Sequence, residues 1–308
     1  MCMFSLPVLS VGDTQIFARF SGAGTQFLAY QMTYESEQEN AMILPIPVQQ
    51  PAKESSIRFV NLEEYEGFFK ALEKGFPILP RVSLGCSASK TSLTLMKDSL
   101  TVTEVGSYVA SFVPTLSDFD RLDERFTLPG TVWNQLPQYA DYGFAVFQLK
   151  EGNYKPHPMA FEFETRDQEQ LFFPTVHVHD GEVHAKEHFN HLLYMQHAGF
   201  DSRVNPSYDN ADVRERATGL VRSKGNAEEF CDIEKAKGLV AKDLLVHRNV
   251  MFGELENTDY RVTTFGHPTK RSFNWRRIQW AWPWVAIGVC MTWFFARRGR
   301  IKSQKSES

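Results

Sequence analysis

Cysteine is scarce in this chain of 308 residues, which contains four. They are widely separated, at Cys2, Cys86, Cys231 and Cys290. This spacing does not indicate a disulfide framework. An acceptor for N-linked glycosylation is also lacking, because Asn205-Pro206-Ser207 has proline at its centre. The N-terminal segment MCMFSLPVLSV has no basic residue and only a short apolar run, so it is a weak secretory signal. Together these absences predict that the main part of the chain lies on the cytosolic side of any membrane.

Basic residues are also few over most of the chain. Residues 270–308 hold nine Lys and Arg against one Glu, and residues 1–269 carry a net charge of −12. Folded domains that bind nucleic acid present a basic surface, so we expect no nucleic-acid partner. The hydrophobic fraction of 43% is too high for a disordered or collagen-like chain.

One long apolar run lies near the C-terminus. Residues 278–296 contain no charged side chain, and as a helix they would span roughly 28 Å, close to the ~30 Å core of a bilayer. Arginines flank the run at both ends, and tryptophans lie near both ends. The pattern predicts a single transmembrane helix that contacts the lipid bilayer. The residues expected to span it are Ile278, Trp280, Trp282, Pro283, Trp284, Val285, Ile287, Val289, Met291, Trp293, Phe294 and Phe295. A buried core helix and an amphipathic interfacial helix are the alternatives.

The predicted fold class is α+β: a mainly antiparallel β-sheet domain with a few short helices, followed by that single C-terminal transmembrane helix. Residues 1–200 are expected to form the β-rich globular domain. Residues 201–268 continue it with a polar loop, a short helix and a hairpin, and residues 269–308 form the anchor and a disordered tail. The expected localisation is therefore a single-pass membrane protein.

Period-two apolar patterns predict the individual strands. Residues 14–20 and 26–34 are expected to form a hairpin across a Gly-containing connection. Residues 244–252 and 260–265 are expected to form a second one. Helical spacing predicts a helix after Asn61 that ends at Gly75, before Pro77.

Histidines are concentrated in one segment, with six of the nine between His177 and His197. His177 and His179 share a face if this segment is a strand, and a turn at Asp180-Gly181 would bring His184 back toward them. His184 and His188 would share a face if the following segment is a helix. Converging imidazoles suit a divalent transition metal, with Asp180 or Glu187 as a carboxylate ligand. The candidate metal ligands are therefore His177, His179, His184 and His188. The alternative is a polar surface hairpin with solvated imidazoles.

The N-terminus offers a second candidate site. Met1-Cys2, followed by a strand ending in Phe17-Ala18-Arg19, resembles the start of choloylglycine hydrolases and their penicillin acylase relatives. That resemblance implies an N-terminal Cys2 nucleophile that attacks an amide, with Arg19 positioning the substrate or the thiol. Ala18 stands where those enzymes have Gly, and no Asp follows Arg19. The alternative is an ordinary N-terminal strand.

Three functions remain open from the sequence. No complete catalytic motif is present, which favours binding or scaffolding at a membrane by an acidic β-rich domain. The alternatives are an N-terminal-Cys amidohydrolase and a metal-dependent enzyme that uses the histidines of residues 177–191.

Overall fold

The computed structural model describes residues 3–22, 24–76, 102–106, 108–204 and 219–264. Within these residues the fold is mostly β-sheet. The strands are β1 (Met3–Phe4), β2 (Ser10–Gly22), β3 (Thr25–Ser36), β4 (Asn40–Ile46), β5 (Ile57–Asn61), β6 (Val102–Val105), β7 (Tyr108–Val113), β8 (Gly143–Leu149), β9 (Gly152–Tyr154), β10 (Met159–Glu164), β11 (Gln170–Phe173), β12 (Lys186–Gln196), β13 (Val221–Asn226), β14 (Leu245–Glu256) and β15 (Tyr260–Thr263).

Helices in the described residues are short. The α-helices are α1 (Phe68–Lys74), α2 (Gly130–Trp133) and α3 (Ala198–Arg203). The 3-10 helices are Glu54–Ser56, Glu63–Tyr65, Leu116–Arg121, Glu124–Phe126, Pro137–Tyr139 and Ala227–Glu229. Asn61 Oδ1 accepts a hydrogen bond from the Glu63 N–H at 2.8 Å, but the predicted cap at Asn61 does not form, because α1 begins at Phe68 and follows Gly67.

Two large sheets organise the strands. One has five strands in the order β1-β4-β8-β7-β6, and the other has the order β13-β14-β12-β2-β3-β10-β5, with β9 paired to β3. A small sheet pairs β11 with β15. The predicted hairpin at residues 14–34 is confirmed as β2 and β3. The large sheet is nevertheless mixed, because β2 pairs in parallel with β12, from Thr14 beside His191 to Arg19 beside Gln196.

Both large sheets are covered on both faces. On β2, Ile16 and Ala18 enter a core shared by the two sheets, whereas Phe17 enters a second core beneath α1. On β4, Met42 and Leu44 face the shared core, whereas Ile43 faces a third core formed with residues 116–144 and 172–178. This alternation explains why several strands read as continuous apolar runs, since neither side of such a strand faces water.

Two local predictions are wrong. The shared helix face considered for His184 and His188 does not form, because residues 186–196 form the strand β12. Strand β14 pairs with β12 and β13, and β15 pairs with β11, so the predicted hairpin of residues 244–252 and 260–265 does not form. In both cases long-range strand pairing overrides the local pattern.

The predicted fold class with a membrane helix requires correction as well. The described chain is mainly β, with one mixed and two antiparallel sheets, and none of the helices in its described residues is long and apolar enough to cross a membrane. The longest α-helix there, α1, has seven residues, against about 20 needed for a span. Single-pass membrane localisation is therefore not supported. The predicted span at residues 278–296, with all its residues from Ile278 to Phe295, lies outside the described residues.

Candidate metal centre

Two of the predicted ligands, His177 and His179, lie close together in the segment after β11. Val178 of that segment forms a parallel bridge with Met3, and the Phe4 N–H donates to the Val178 carbonyl at 3.0 Å. Val178 faces the third core. Successive side chains of an extended segment alternate in direction, so His177 and His179 point together to the other side. Their ring centroids lie 5.0 Å apart, as the sequence predicts for strand neighbours on one face.

The turn after β14 holds this segment in place. The His177 N–H donates to Asn257 Oδ1 at 2.7 Å, and Asn257 Nδ2 donates to the His177 carbonyl at 3.0 Å. Asn257 Nδ2 also donates to the His184 carbonyl at 2.9 Å. Two residues later, Asp259 Oδ1 accepts the Thr175 N–H at 2.9 Å. One turn therefore fixes the backbone on both sides of the residue 177–184 loop.

Glu187, on β12, completes a group of three possible metal ligands. One ligand atom from each of His177, His179 and Glu187 lies within 4.8 Å of the others. The His177 Nδ1 atom is 4.0 Å from Glu187 Oε2. The His177 side chain is fully buried, whereas that of Glu187 is 21% exposed. The group therefore opens toward solvent at Glu187 and is closed at His177.

Burial keeps both imidazoles neutral. It lowers the pKa of His179 to about 4 and the pKa of His177 far below its usual range, and the neighbouring His179 lowers the pKa of His177 further. A neutral imidazole offers a nitrogen lone pair. At neutral pH a metal ion would therefore not have to displace a proton from either ring.

Aromatic rings surround the two histidines. The Phe189 ring lies 4.2 Å from the His177 ring, and Phe4 meets His179 edge-on at 6.0 Å. His191 stacks against His177 with centroids 5.3 Å apart and planes inclined by 20°. These rings exclude water from the inner side of the group.

The other two predicted ligands lie elsewhere. His184 is exposed, and its Nε2 is 2.9 Å from Asp180 Oδ2, an interaction that raises the pKa of His184. His188 lies on the exposed side of β12, edge-on to the Phe252 ring at 5.7 Å. Neither residue belongs to the group of three.

Arg19 has structural partners. Its guanidinium donates to the carbonyls of Leu239 at 2.8 Å, Gly238 at 2.5 Å and Phe20 at 2.9 Å, and it lies over the Phe27 ring at 5.2 Å. These bonds hold the 238–239 segment against β2. Cys2, the predicted nucleophile, lies outside the described residues.

A separate cleft of about 400 Å³ lies between α1 and the segment around His157. Its charged side chains balance, with Lys70 and Lys155 against Glu66 and Glu73. None of the three grouped ligands lines this cleft, and its chemistry does not select one kind of ligand.

Comparisons with known proteins give little further information. No family model matches the chain, and no curated protein matches it. Among solved structures, the crystal structure of baculovirus P35 is 13% identical, covering 86% of this chain and 100% of that one with a TM-score of 0.42. The caspase-8/P35 complex is 12% identical, covering 83% of this chain and 97% of that one with a TM-score of 0.39. Likeness at this level carries no conclusion about the activity or partners of this chain.

Proposed function

We propose that this protein binds one divalent transition-metal ion through His177, His179 and Glu187. The observation that supports this proposal is that ligand atoms of two neutral imidazoles and one carboxylate lie within 4.8 Å of one another. This donor set suits Zn²⁺, Fe²⁺, Co²⁺, Ni²⁺ or Cu²⁺. Mg²⁺ and Ca²⁺ are disfavoured, because those ions prefer oxygen ligands throughout.

Small side-chain movements would complete the site. With metal–ligand bonds of about 2.0–2.2 Å, ligand atoms on a tetrahedral ion lie roughly 3.3 Å apart. The His177–Glu187 separation of 4.0 Å therefore needs to shorten by about 0.7 Å, and a pair at the 4.8 Å limit of the group by about 1.5 Å. Glu187 can supply that movement because it is partly exposed and near the start of β12. The backbone at His177 stays fixed by Asn257.

A metal ion here would join two separate parts of the chain, the segment after β11 and strand β12. Three protein ligands leave at least one coordination position for water or a further ligand, which in catalytic sites is the reactive position. A bound ion would also stabilise the folded state by mass action, since the unfolded chain does not hold these groups together.

The test is a metal titration of the full chain, purified without chelator or affinity metal. We expect one equivalent of Zn²⁺ or Co²⁺ to bind and raise the melting temperature, with no effect from Mg²⁺. His177→Ala, His179→Ala and Glu187→Gln should each weaken binding on the order of 100-fold or more. The matched controls His184→Ala and His188→Ala should bind like the wild type. Absence of stoichiometric binding, or equal losses in the controls, would contradict the proposal.

Two functions inferred from the sequence stay predictions. A binding or scaffolding role for the β-rich domain has no identified partner. Amide hydrolysis by Cys2 would require that Cys2→Ala abolish such an activity, and Arg19 has other partners in the structure.

A further inference from the structure

The outer edge of β14 is open over the second half of the strand. β14 lies between β12 and β13, and its pairing with β12 extends from His247 to Glu256. β13 begins opposite Arg248 and runs the other way, to Leu245. In the described part of the chain, no strand pairs with the outer edge of residues 250–256. Alternate N–H and C=O groups there point away from β12, and such an edge accepts a further strand.

One face of this open edge carries an aromatic ring and two carboxylates. Phe252, Glu254 and Glu256 alternate along β14, so their side chains share a face of the sheet. All three are exposed, Phe252 to 68%. On β12, His188 lies opposite Glu254 and Lys186 lies opposite Glu256. The side chains of a strand added at the outer edge would therefore meet one aromatic ring and two negative charges on this face.

The other face of the same edge is apolar. Met251, Gly253 and Leu255 alternate with the exposed residues and are half-buried. Met251 packs against the core shared by the two large sheets. Small or β-branched side chains of an added strand would extend that core at its margin. The two faces of the edge therefore favour different side chains in alternate positions of a bound strand.

We propose that residues 250–256 bind an extended basic segment of a partner protein as an added antiparallel strand. Backbone hydrogen bonds supply affinity in this mode of recognition, and alternate side chains supply specificity. Basic residues lie opposite Glu256 and Glu254, and an aromatic or other apolar residue lies opposite Phe252. The recognised pattern is basic-x-basic-x-apolar, with x small or β-branched. This inference is independent of metal binding.

Charge favours a basic partner over a second copy of this chain. Residues 1–269 carry a net charge of −12, so two copies of this domain repel each other. A second β14 edge would also bring further glutamates to the face that already holds Glu254 and Glu256. A segment with alternating Lys and Arg is attracted to the same face instead.

Fluorescence anisotropy of the full chain with a labelled peptide tests the proposal. The probe is Lys-Thr-Arg-Thr-Phe-Val-Ser, and we expect saturable one-to-one binding that weakens with added salt. The charge-reversed peptide Glu-Thr-Asp-Thr-Phe-Val-Ser should bind at least about 10-fold more weakly. Two further forms of the probe carry N-methyl groups on one or the other set of alternate amides. Only one of these forms should lose binding, because only alternate amides face β14.

Substitutions at exposed positions of the edge locate the bound peptide. Phe252→Ala and the double variant Glu254→Gln/Glu256→Gln should each weaken probe binding about 3- to 10-fold. Leu9→Ala, at another exposed apolar side chain, and Glu151→Gln, at another exposed carboxylate, are the matched controls and should bind like the wild type. In the wild type, bound probe should slow amide hydrogen exchange within residues 250–256.

Several results would overturn the proposal. One is equal affinity for the probe and the charge-reversed peptide, and another is unchanged affinity in both edge variants. If no peptide binds, the two glutamates only shield the edge from aggregation. If exchange at residues 250–256 slows with rising protein concentration and without peptide, a second copy occupies the edge and the basic partner is excluded.

Discussion

Asn257 and His177 are joined by two hydrogen bonds that pass in opposite directions. The His177 N–H donates to Asn257 Oδ1 at 2.7 Å, and Asn257 Nδ2 donates to the His177 carbonyl at 3.0 Å. The same amide reaches the His184 carbonyl. A single side chain therefore sets the backbone position of the innermost proposed ligand without touching the ion itself.

Asn257→Ala should consequently affect both stability and metal binding. Three hydrogen bonds are lost, and we expect the free energy of unfolding to fall by about 1–3 kcal/mol. Metal affinity should fall about 10- to 100-fold, because the ligand backbone is no longer positioned. Chemical denaturation and Co²⁺ titration measure the two effects.

The matched control for this prediction is Asn190→Ala, an exposed asparagine on β12. This substitution should change neither the free energy of unfolding nor the metal affinity appreciably. If Asn257→Ala retained wild-type metal affinity, the proposed positioning role of Asn257 would be wrong.

Phe147 lies at the centre of the shared core. It is fully buried, and its ring lies 5.5 Å from that of Tyr108 and 5.7 Å from that of Phe59. Phe147→Ala should destabilise the fold by about 3–5 kcal/mol, through lost burial and the cavity it leaves. Phe252→Ala is the control, since Phe252 is 68% exposed, and it should change stability by less than about 0.5 kcal/mol in urea denaturation. Equal effects of the two substitutions would contradict the assignment of the core.

Arg19 should contribute to stability through its bonds to the 238–239 segment. Arg19→Ala leaves the Leu239 and Gly238 carbonyls without this donor, and we expect a loss of about 1–3 kcal/mol in the free energy of unfolding. Arg19→Lys should recover little, because one ammonium cannot reproduce the planar set of donors. Amide hydrogen exchange should show faster opening of residues 236–241.

Arg58 supplies the comparison for Arg19. It lies over the same Phe27 ring but is largely exposed, paired with Glu162. Arg58→Ala should therefore cost less than about 1 kcal/mol. A larger loss for Arg58→Ala than for Arg19→Ala would refute the structural role assigned to Arg19.

The local sequence pattern was sufficient to predict the β2–β3 hairpin, but it did not predict the group formed by His177, His179 and Glu187. Phe189, His191, Leu193 and Met195 are buried and alternate along β12, whereas the spacing of His184 and His188 had pointed to a shared face on a helix. The period-two signal was present in the sequence, and the histidine spacing was the wrong guide.

Long-range partners explain the rest of the difference. Thr14 becomes a neighbour of His191 only through the parallel pairing of β2 with β12, and Asn257 reaches His177 from 80 residues away. Parallel strands need a long connection, which no hairpin pattern reveals. The sequence around His191 or His177 gives no sign of either contact. Both contacts are visible only once the strands have paired in the folded structure.

His157 should make stability depend on pH. Its ring is buried and stacked on Tyr108 at 4.4 Å, with Nε2 3.1 Å from the Val105 carbonyl and Nδ1 3.3 Å from the Pro158 carbonyl. The two carbonyls favour the charged ring, but burial disfavours it more strongly, so the pKa of His157 is lowered from its usual value of 6.5.

The sign of the effect follows from where the proton binds. As pH falls below about 6.5, the unfolded chain takes up a proton at His157 before the folded chain does, so acidification favours unfolding. The stability of the wild type relative to His157→Gln should therefore decrease between about pH 7 and about pH 5, while the other histidines contribute equally to both proteins and cancel. Urea denaturation of the two proteins across this range measures the difference. A difference that stayed constant, or grew in favour of the wild type on acidification, would show that the carbonyls outweigh burial at this ring.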